Sequence, residues 1–580
     1  MDASRERIVT LVGVVLAMLL VRGLAGDALG PAAESWTRET GSLARDSRAP
    51  GLVFPEPGEP EPGASPGHEQ GPALPVAPLF ETSEVEVAAP EVATESLGEG
   101  WDVVGGLADD LQAAVQRRVT EAVREADRLG GKAVRAQDVQ VSVRALDLRT
   151  RRGLVGLASR ALLRPASNHK LLTAAAALVL MGPDGELQTP FHASPGATQE
   201  GALLRGDVVV RAGGDPVFDA DGDGSLGSWL DPLLQALQER GVSRIEGDLV
   251  LDEGTFQEPS PAPEWPSEDQ HWKEYCALSG GFSANAGCLQ VTLVARAPGA
   301  EVPVVLLPRG HGLEERLGVR TVKASRPLDV RVGVAGSRAT VRGELPASAG
   351  TWVTRFRHPD PVELFGGAVA ARLASAGVAL SGSVRRERGA ATGERLAVCR
   401  SRIAAHLQPI LRDSNNSVAD QLWLAAGLQG SGRGDREGAA RAVTRALQEL
   451  GLGPAGVVAV DGSGLSRSDR TSTRQLSAVL AALAERPGAL DVLLQTLPVA
   501  GRTGSLEGRM RGGPAEGRIL AKTGFIGGTS GLSGYVLAAD GPRVAFSILV
   551  NYPRAGGLNT RVFKPLQDDL CAEMVAWLDR

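Results

Sequence analysis

The segment PASNHKLLTAAAAL spans residues 165–178 and places Ser167 three positions before Lys170, at the head of an apolar run. The chain has six lysines among its 61 basic residues, so arginine is its usual cation. Arginine stays charged in proteins, whereas a desolvated lysine can be neutral and accept a proton. If a helix begins at Ser167, the two side chains share one face. The spacing therefore predicts a serine nucleophile with a lysine base.

A Ser-x-x-Lys match by itself is weak evidence for a catalytic site, because a purely structural explanation exists. Ser167 would then cap the helix, and Lys170 would be a solvated cation. That alternative predicts no related motif later in the chain. Two such motifs follow, however, in the segments DSNNSVADQL (413–422) and AKTGFIGGTSGLSGYV (521–536).

The three triads together are far more specific than any one of them. They are Ser167-x-x-Lys170, Ser414-Asn415-Asn416 and Lys522-Thr523-Gly524, in that order along the chain. They resemble the S-x-x-K, S-[DN]-N and K-T-G motifs of the penicillin-recognising serine acyl-transferases, which share a fold with class A β-lactamases.

The distance between the first two motifs selects a group within this superfamily. Ser167 and Ser414 are 247 positions apart, and the sequence between them has short alternating strand patterns divided by Gly and Pro. This spacing, with VDGSGLSRSDRTS (460–472) and LPVAGRTGSLEGRM (497–510), closely resembles the class C low-molecular-mass penicillin-binding proteins. These are the D-alanyl-D-alanine carboxypeptidase/endopeptidases of the penicillin-binding protein 4 type. The resemblance covers roughly residues 101–580.

The resemblance implies an α/β (α+β) chain with a serine β-lactamase-like transpeptidase fold. One or more β-rich domains would be inserted between the first and second catalytic motifs. We expect the peptidase domain to comprise residues 101–190 and 401–580, and the insert to comprise residues 191–400.

The resemblance also implies roles for the residues that attack the substrate and move protons. Ser167 would be the nucleophile and Lys170 its base. Ser414 would relay a proton between Lys170 and the departing amine, and Asn416 would bind the substrate amide and fix Lys170.

The remaining implied roles concern substrate binding along one strand. Lys522 and Thr523 would receive a terminal carboxylate, and Gly524 would leave room for the substrate at the strand edge. The backbone N–H groups of Ser167 and Phe525 would form the oxyanion hole. At position 525 the resemblance leads us to expect a small or hydroxylated residue. The larger side chain of Phe525 would narrow the substrate cleft.

By the same resemblance, the chain would hydrolyse the terminal D-Ala-D-Ala bond of peptidoglycan stem peptides, and often the cross-bridge, through an acyl-serine intermediate. No metal or cofactor is implied, and β-lactam antibiotics would acylate the same serine. One alternative is a catalytically silent peptidoglycan-binding or sensory protein of the same fold. Another is a β-lactamase or esterase, which is disfavoured because the sequence offers no counterpart of the glutamate that deacylates class A enzymes.

The N-terminal segment has the composition of an export signal. An apolar run at residues 8–21 follows Arg5 and Arg7, and it is shorter than the roughly 20 residues that span a bilayer. We expect residues 1–30 to be a signal peptide or a retained membrane anchor, and the protein to be periplasmic or otherwise extracytoplasmic. Residues 31–100, rich in Pro and Glu, would form a disordered linker.

Charge argues against nucleic acid as a partner. The whole chain carries −7, and residues 51–100 contribute −10 through ten Glu. Because residues 1–50 are balanced, about +3 remains on residues 101–580. The folded part thus lacks the strong basic field that nucleic-acid binding requires.

Several local features complete the expectations. Four cysteines in an exported chain are compatible with two disulfides of unknown connectivity, with Cys276–Cys288 as the first choice for a pair and buried free thiols as the alternative. His169 should point away from the motif residues, and DGSGLSR (461–467) should be a glycine-rich turn beside the cleft. An amphipathic helix should follow Trp101, and alternation at residues 139–145 predicts a strand with one buried face.

Overall fold

The computed structural model of the protein describes residues 108–217 and 226–580. The expected signal or anchor at residues 1–30 and the expected linker at residues 31–100 lie outside the described residues. In the part of the chain that is described, no helix is both long and apolar enough to cross a membrane.

The elements before the first motif are a long helix and a strand pair. The helix is amphipathic, as predicted, and its first turn carries Asp109 and Asp110, which suit the positive end of the helix dipole. The bounds are α1 Asp109–Gly130, β1 Gln140–Asp147, β2 Arg152–Leu157, the 3₁₀ turn Ala166–His169 and α2 Lys170–Leu180.

The next part of the chain is dominated by strands. Its elements are β3 Glu186–Ala193, β4 Thr198–Glu200, β5 Leu203–Arg205, β6 Val208–Arg211, α3 Asp231–Glu239, β7 Arg244–Glu246, β8 Leu249–Asp252, β9 Cys288–Val294, β10 Glu301–Val302, β11 Val305–Leu307, β12 Glu314–Val322, β13 Asp329–Ala335, β14 Arg338–Pro346, β15 Thr351–Arg357, α4 Pro361–Ser375, β16 Ala379–Leu380, β17 Val384–Glu387 and β18 Arg395–Arg402. Among the described residues these strands form four sheets, ordered β10-β12-β14-β13, β11-β9-β15, β16-β7-β5-β4 and β17-β8-β6-β3-β18.

Helices return after this block, followed by a strand meander and a closing helix. The bounds are α5 Ile403–Leu411, α6 Asn416–Ser431, α7 Arg436–Glu449, α8 Thr473–Ala484, α9 Ala489–Thr496, β19 Ile519–Ile526, β20 Thr529–Ala538, β21 Gly541–Asn551, the π-helical turn Asn559–Phe563 and α10 Lys564–Leu578. A turn at Ala539 and Asp540 joins β20 to β21, where Ala538 pairs with Gly541.

Strands from both ends of the chain form one antiparallel sheet in the order β19-β20-β21-β1-β2. One face packs against α1 and α10 through a core that includes Val115, Phe546 and Met574. The other face packs against α8, where Leu549 and Leu480 lie in a second core with α2, α6 and α7. The result is a mixed α/β fold, as predicted, with helices on both faces of the sheet.

The β-rich block, residues 186–402, is connected to the helical part of the fold by two chain segments that lie side by side. Its first and last strands, β3 and β18, pair antiparallel, so Glu186 lies opposite Arg402. Because the entry and exit strands are neighbours, the first and second motifs can meet despite the long sequence between them.

The prediction of one buried face for residues 139–145 is wrong. In β1, Ser142 and Arg144 are as buried as Val143 and Ala145. The reason is that β1 is an inner strand, between β21 and β2, in a sheet covered by helices on both sides. The polar side chain of Ser142 is accommodated by a 2.7 Å hydrogen bond to Thr473 of α8.

The predicted disulfides are also wrong, including the pair Cys276–Cys288. All four cysteines are free and buried, so the alternative of buried thiols is the correct one. Cys399 and Cys571 lie within apolar cores, where cysteine behaves as a small hydrophobic residue. Burial raises the pKa of Cys276 and of Cys399 to about 12.

Thiol titration tests this correction. We expect about four reactive thiols per chain after unfolding in guanidinium without reductant, and almost none in the native protein, because burial blocks access and disfavours the thiolate. A reduced and desalted sample gives the reference value. Two or fewer thiols in the unreduced, unfolded chain would show that a disulfide exists.

Candidate active site

The first motif lies where a 3₁₀ turn runs into helix α2. Ser167 is in the turn, Lys170 is the first residue of α2, and the Lys170 Nζ lies 3.1 Å from the Ser167 Oγ. The Lys170 side chain is fully buried, and Ser167 makes no capping bond to the helix. The alternative of a serine cap with a solvated lysine is therefore wrong.

The second motif lies between helices α5 and α6. Ser414 has a positive φ of 62°, and Asn415 caps α6 by accepting a hydrogen bond from the Val418 N–H. This turn places Asn416 at the start of α6, where its Oδ1 accepts a 2.7 Å hydrogen bond from the Lys170 Nζ. Its amide nitrogen donates to the backbone oxygen of Tyr275, in the β-rich part of the chain.

The third motif lies on β19, the outer strand of the central sheet. The Lys522 Nζ is 2.9 Å from the Ser414 Oγ and 2.9 Å from the backbone oxygen of Thr523. The Thr523 Oγ1 in turn donates to the Ser505 Oγ at 2.7 Å. Lys522 is fully buried, whereas Thr523 is partly accessible.

Among the residues that the structure describes, the outer edge of β19 is paired with other backbone only along its first part. Residues 498–500 pair with it through the Ala500 N–H to Ile519 and the Ala521 N–H to Pro498. The recorded pairing on this edge ends at Ala521, immediately before Lys522. The following residues include Phe525, whose side chain is 48% exposed. An extended peptide adds most readily to such an open strand edge.

Glycine at position 524 has a structural reason that the sequence did not reveal. A Cβ there would lie 2.4 Å from the Asn168 side-chain nitrogen and 2.9 Å from the Pro165 oxygen. The missing side chain thus allows the turn that carries Ser167 to pack directly on β19.

Burial governs the charge of both motif lysines. It lowers the pKa of Lys170 to about 8, against the opposing effect of the carboxyl groups of Asp420, Asp461 and Asp469. Burial, and then the nearby Lys170, lower the pKa of Lys522 well below its usual range. A neutral amine is therefore accessible near Ser167 at mildly alkaline pH.

The structure brings the predicted residues together as two hydrogen-bonded sets. One contains Ser167, Lys170 and Asn416, and the other contains Ser414, Lys522 and Thr523. Ser414 contacts Lys522, and no hydrogen bond between Ser414 and Lys170 is recorded among the described residues.

His169 takes no part in either set. Its side chain is fully buried, and neither ring nitrogen has a hydrogen-bond partner in the structure. Burial lowers its pKa to about 4, partly offset by Asp461. It is therefore neutral at physiological pH.

Sequence reasoning missed the loop that completes the surroundings of Lys170. The backbone oxygen of Ser463 accepts a 2.7 Å hydrogen bond from the Lys170 Nζ, and Asp461 holds this loop. The sequence DGSGLSR predicted a turn here, but a carbonyl acceptor leaves no signal in a sequence. The buried Asp420 was detectable, because it is an acid within an otherwise apolar stretch of α6.

The described residues contain no group of three or more His, Cys, Asp or Glu side chains that could hold a metal ion. The site presents the hydroxyls of Ser167 and Ser414 and the amines of Lys170 and Lys522, and burial disfavours the charged form of both amines.

The chain is similar in sequence to proteins of a known family. The family model of the D-Ala-D-Ala carboxypeptidase 3 (S13) family matches residues 132–570. A D-alanyl-D-alanine carboxypeptidase of Actinomadura sp. (strain R39) is 32% identical over 406 residues, which is 67% of this chain and 73% of that protein. The D-alanyl-D-alanine carboxypeptidase DacB of Haemophilus influenzae is 27% identical over 407 residues, covering 68% and 82% of the two chains.

A solved structure shows the same fold. The crystal structure of penicillin binding protein 4 (dacB) from Haemophilus influenzae aligns with a TM-score of 0.63 and 22% sequence identity. The alignment covers 78% of this chain and 98% of the other.

Substitution of one loop glycine tests how tightly the Ser463 loop is held against the nucleophile turn. Gly464 has φ +78°, and a Cβ on it would lie 1.9 Å from the Ala166 oxygen. We expect Gly464→Ala to lower the free energy of unfolding by about 2–5 kcal/mol, as strain and steric overlap add. Urea denaturation measures this loss.

Gly451→Ala is the matched control. Its φ is +71°, and nothing lies within 4 Å of the added Cβ. Only the backbone penalty of about 1 kcal/mol is expected. Equal losses in the two variants would show that the loop and the turn are not packed as closely as described.

Proposed function

The chain belongs to the D-Ala-D-Ala carboxypeptidase 3 (S13) family and is a serine-type D-Ala-D-Ala carboxypeptidase, and we propose that Ser167 is its nucleophile. This membership confirms the family that the three motifs predicted. The observation that carries the proposal is the buried Lys170 amine, 3.1 Å from the Ser167 Oγ.

Lys170 is proposed as the base that activates the nucleophile. The Ser167 Oγ attacks the carbonyl carbon of the penultimate D-alanine, and the hydroxyl proton passes to the neutral Lys170 Nζ. Asn416 and the Ser463 carbonyl accept hydrogen bonds from the same nitrogen, which keeps it oriented. The pKa of Lys170, lowered to about 8, supplies a useful neutral fraction near neutral pH.

Ser414 is proposed to pass a proton to the leaving group. Its oxygen accepts a hydrogen bond from Lys522, so its own hydroxyl hydrogen is directed elsewhere and can be donated. As the C–N bond breaks, the departing amine takes this proton, and Ser414 recovers one that originated on Ser167 and was held by Lys170. The acyl group stays on Ser167 as an ester until water hydrolyses it.

Substrate recognition is proposed along β19. Lys522 and Thr523 lie where a terminal carboxylate would complete their hydrogen bonds, and such an anion would restore charge to the Lys522 amine. The peptide would lie against the strand edge beyond Ala521, passing Gly524. The backbone N–H groups of Ser167 and Phe525 would bind the developing oxyanion.

The proposed partners are peptidoglycan stem peptides, with β-lactams as acylating inhibitors and no cofactor. The proposed location is periplasmic or otherwise extracytoplasmic, reached through the N-terminal segment as signal peptide or anchor, with residues 31–100 as linker. We also propose that residues 191–400 are an inserted β-rich unit between two parts of the peptidase domain. Pairing of Glu186 with Arg402, just outside these bounds, supports this division.

Acylation by a fluorescent penicillin tests the proposed base. We expect Ser167→Ala to abolish labelling, and Lys170→Arg to slow it by about 10²–10⁴-fold, because guanidinium cannot accept a proton. In the wild type the acylation rate should rise with pH through about pH 8, where the Lys170 amine becomes neutral.

Lys323→Arg, at an exposed position, is the matched control and should label like the wild type. Full labelling of Ser167→Ala would refute the assigned nucleophile. A wild-type protein that bound muropeptides without acylation or turnover would be a silent wall-binding protein instead.

Mass spectrometry of purified wall fragments identifies the bond that is cut. Loss of a single D-alanine from pentapeptide stems is expected with the wild type, because Lys522 and Thr523 suit a free terminal carboxylate. Splitting of cross-linked dimers would reveal endopeptidase action as well. Ser167→Ala should leave both substrates intact, and turnover by this variant would contradict the acyl-serine route.

A further inference from the structure

The third hydrogen bond of the Lys170 amine goes to a backbone atom outside the three motifs. The Ser463 oxygen accepts it at 2.7 Å, within a loop at residues 461–466 that is buried throughout. A backbone carbonyl can orient the amine only if the loop that carries it is fixed. The question is therefore what fixes this loop.

The carboxylate of Asp461 binds its own loop at several points. Its Oδ1 accepts from the backbone N–H groups of Ser463 and Gly464, at 2.9 and 2.6 Å, and from the Ser463 hydroxyl. Its Oδ2 accepts from the Ser466 N–H at 2.7 Å. All these groups are donors, so the carboxylate acts purely as an acceptor, as its ionised form does.

The β-rich part of the chain holds the same carboxylate from the other side. The indole N–H of Trp265 donates to the Asp461 Oδ2 at 2.8 Å, and the Ser466 hydroxyl donates to the Pro263 oxygen. On the peptidase side, the Gly462 N–H donates to Asp420 of α6. The loop is thus hydrogen-bonded to the β-rich part of the chain on one side and to α6 on the other.

We propose that Asp461 is a positioning residue for the reaction. It fixes the Ser463 carbonyl against the Lys170 amine, and its carboxyl group, together with that of Asp420, favours the charged form of this amine. Trp265 links the β-rich block to this arrangement. The inference rests on the proposed role of Lys170 and deepens it.

Asp461 also acts on the two neighbouring carboxyl groups. Burial, and then Asp461, raise the pKa of Asp420 and of Asp469 well above the usual range. The titratable or charged groups that face Lys170 or Asp461 are His169 of the turn, Asp420 of α6, Asp469 of the loop, Arg436 of α7 and Lys522 of β19.

Asp461→Asn tests both parts of the proposal, with acylation by fluorescent penicillin as the readout. An amide nitrogen cannot accept, so at least two donors lose their partner, namely the Ser466 N–H and the Trp265 indole N–H if the nitrogen replaces Oδ2, and the carbonyl shifts. We expect the maximal acylation rate to fall by about 100-fold, with non-covalent penicillin binding unchanged. Without the carboxylate charge, Lys170 becomes neutral at lower pH. The acid limb of the rate profile, which is the rise of the acylation rate with increasing pH, should therefore shift to lower pH by about one unit.

Asp435→Asn is the matched control, since Asp435 also binds a backbone N–H, that of Gly438 at the start of α7. It should leave both the rate and the acid limb unchanged. Trp265→Phe removes one donor and keeps the charge, so we expect several-fold slower acylation with the acid limb in place. This second variant decides the positioning role if thermal unfolding shows that Asp461→Asn is not folded.

The outcomes separate this inference from the proposed function. If the wild type is not acylated at all, the proposed function fails. If the wild type is acylated and folded Asp461→Asn matches it in rate and acid limb, or if its acid limb moves to higher pH, the role of Asp461 is refuted while Ser167 remains the nucleophile. A wild-type rate in Trp265→Phe would refute the link to the β-rich block.

Discussion

Burial of the Lys170 and Lys522 amines near one another is the constraint on which the rest of the structure depends. Both side chains are fully buried, and desolvation disfavours their charged forms. Proximity adds to this, because Lys170 further lowers the pKa of Lys522. Unpaired buried amines are costly, so each must be given hydrogen-bond acceptors from distant parts of the chain.

The fold supplies these acceptors from separate elements. Lys170 bonds to Asn416 at the start of α6 and to Ser463 in a loop, while Lys522 bonds to Ser414 at the end of α5. Cores on both faces of the central sheet hold these helices in place. The β-rich block contributes as well, since the Tyr275 oxygen fixes Asn416. A block that is a separate unit in sequence is thus joined to the site by hydrogen bonds.

Residue types and their order along the chain predicted which residues would meet at the site. The scarcity of lysine singled out Lys170, and the order of the triads indicated the family before any contact was known. The triads meet in the structure as predicted, but the loop acceptors and the partner of Ser414 were not foreseen. The prediction of one buried face for β1 failed, since Ser142 and Arg144 are buried. Alternation of polar and apolar residues indicates one buried face only when the other face of the sheet is exposed to water. Prediction failed for the cysteines because sequence spacing carries no information on the distance between two thiols.

The sequence by itself determined the candidate for the reacting groups, since a hydroxyl and a neutralisable amine can be recognised by residue type at a helical spacing. It also indicated the fold class, through the resemblance of its three triads to a known family. Only the tertiary structure decided how those groups are held. Backbone carbonyls, the buried charge of Asp461 and the packing of Gly524 against Asn168 depend on atoms from segments far apart in the chain. Desolvation and hydrogen-bond geometry arise only when the chain has folded.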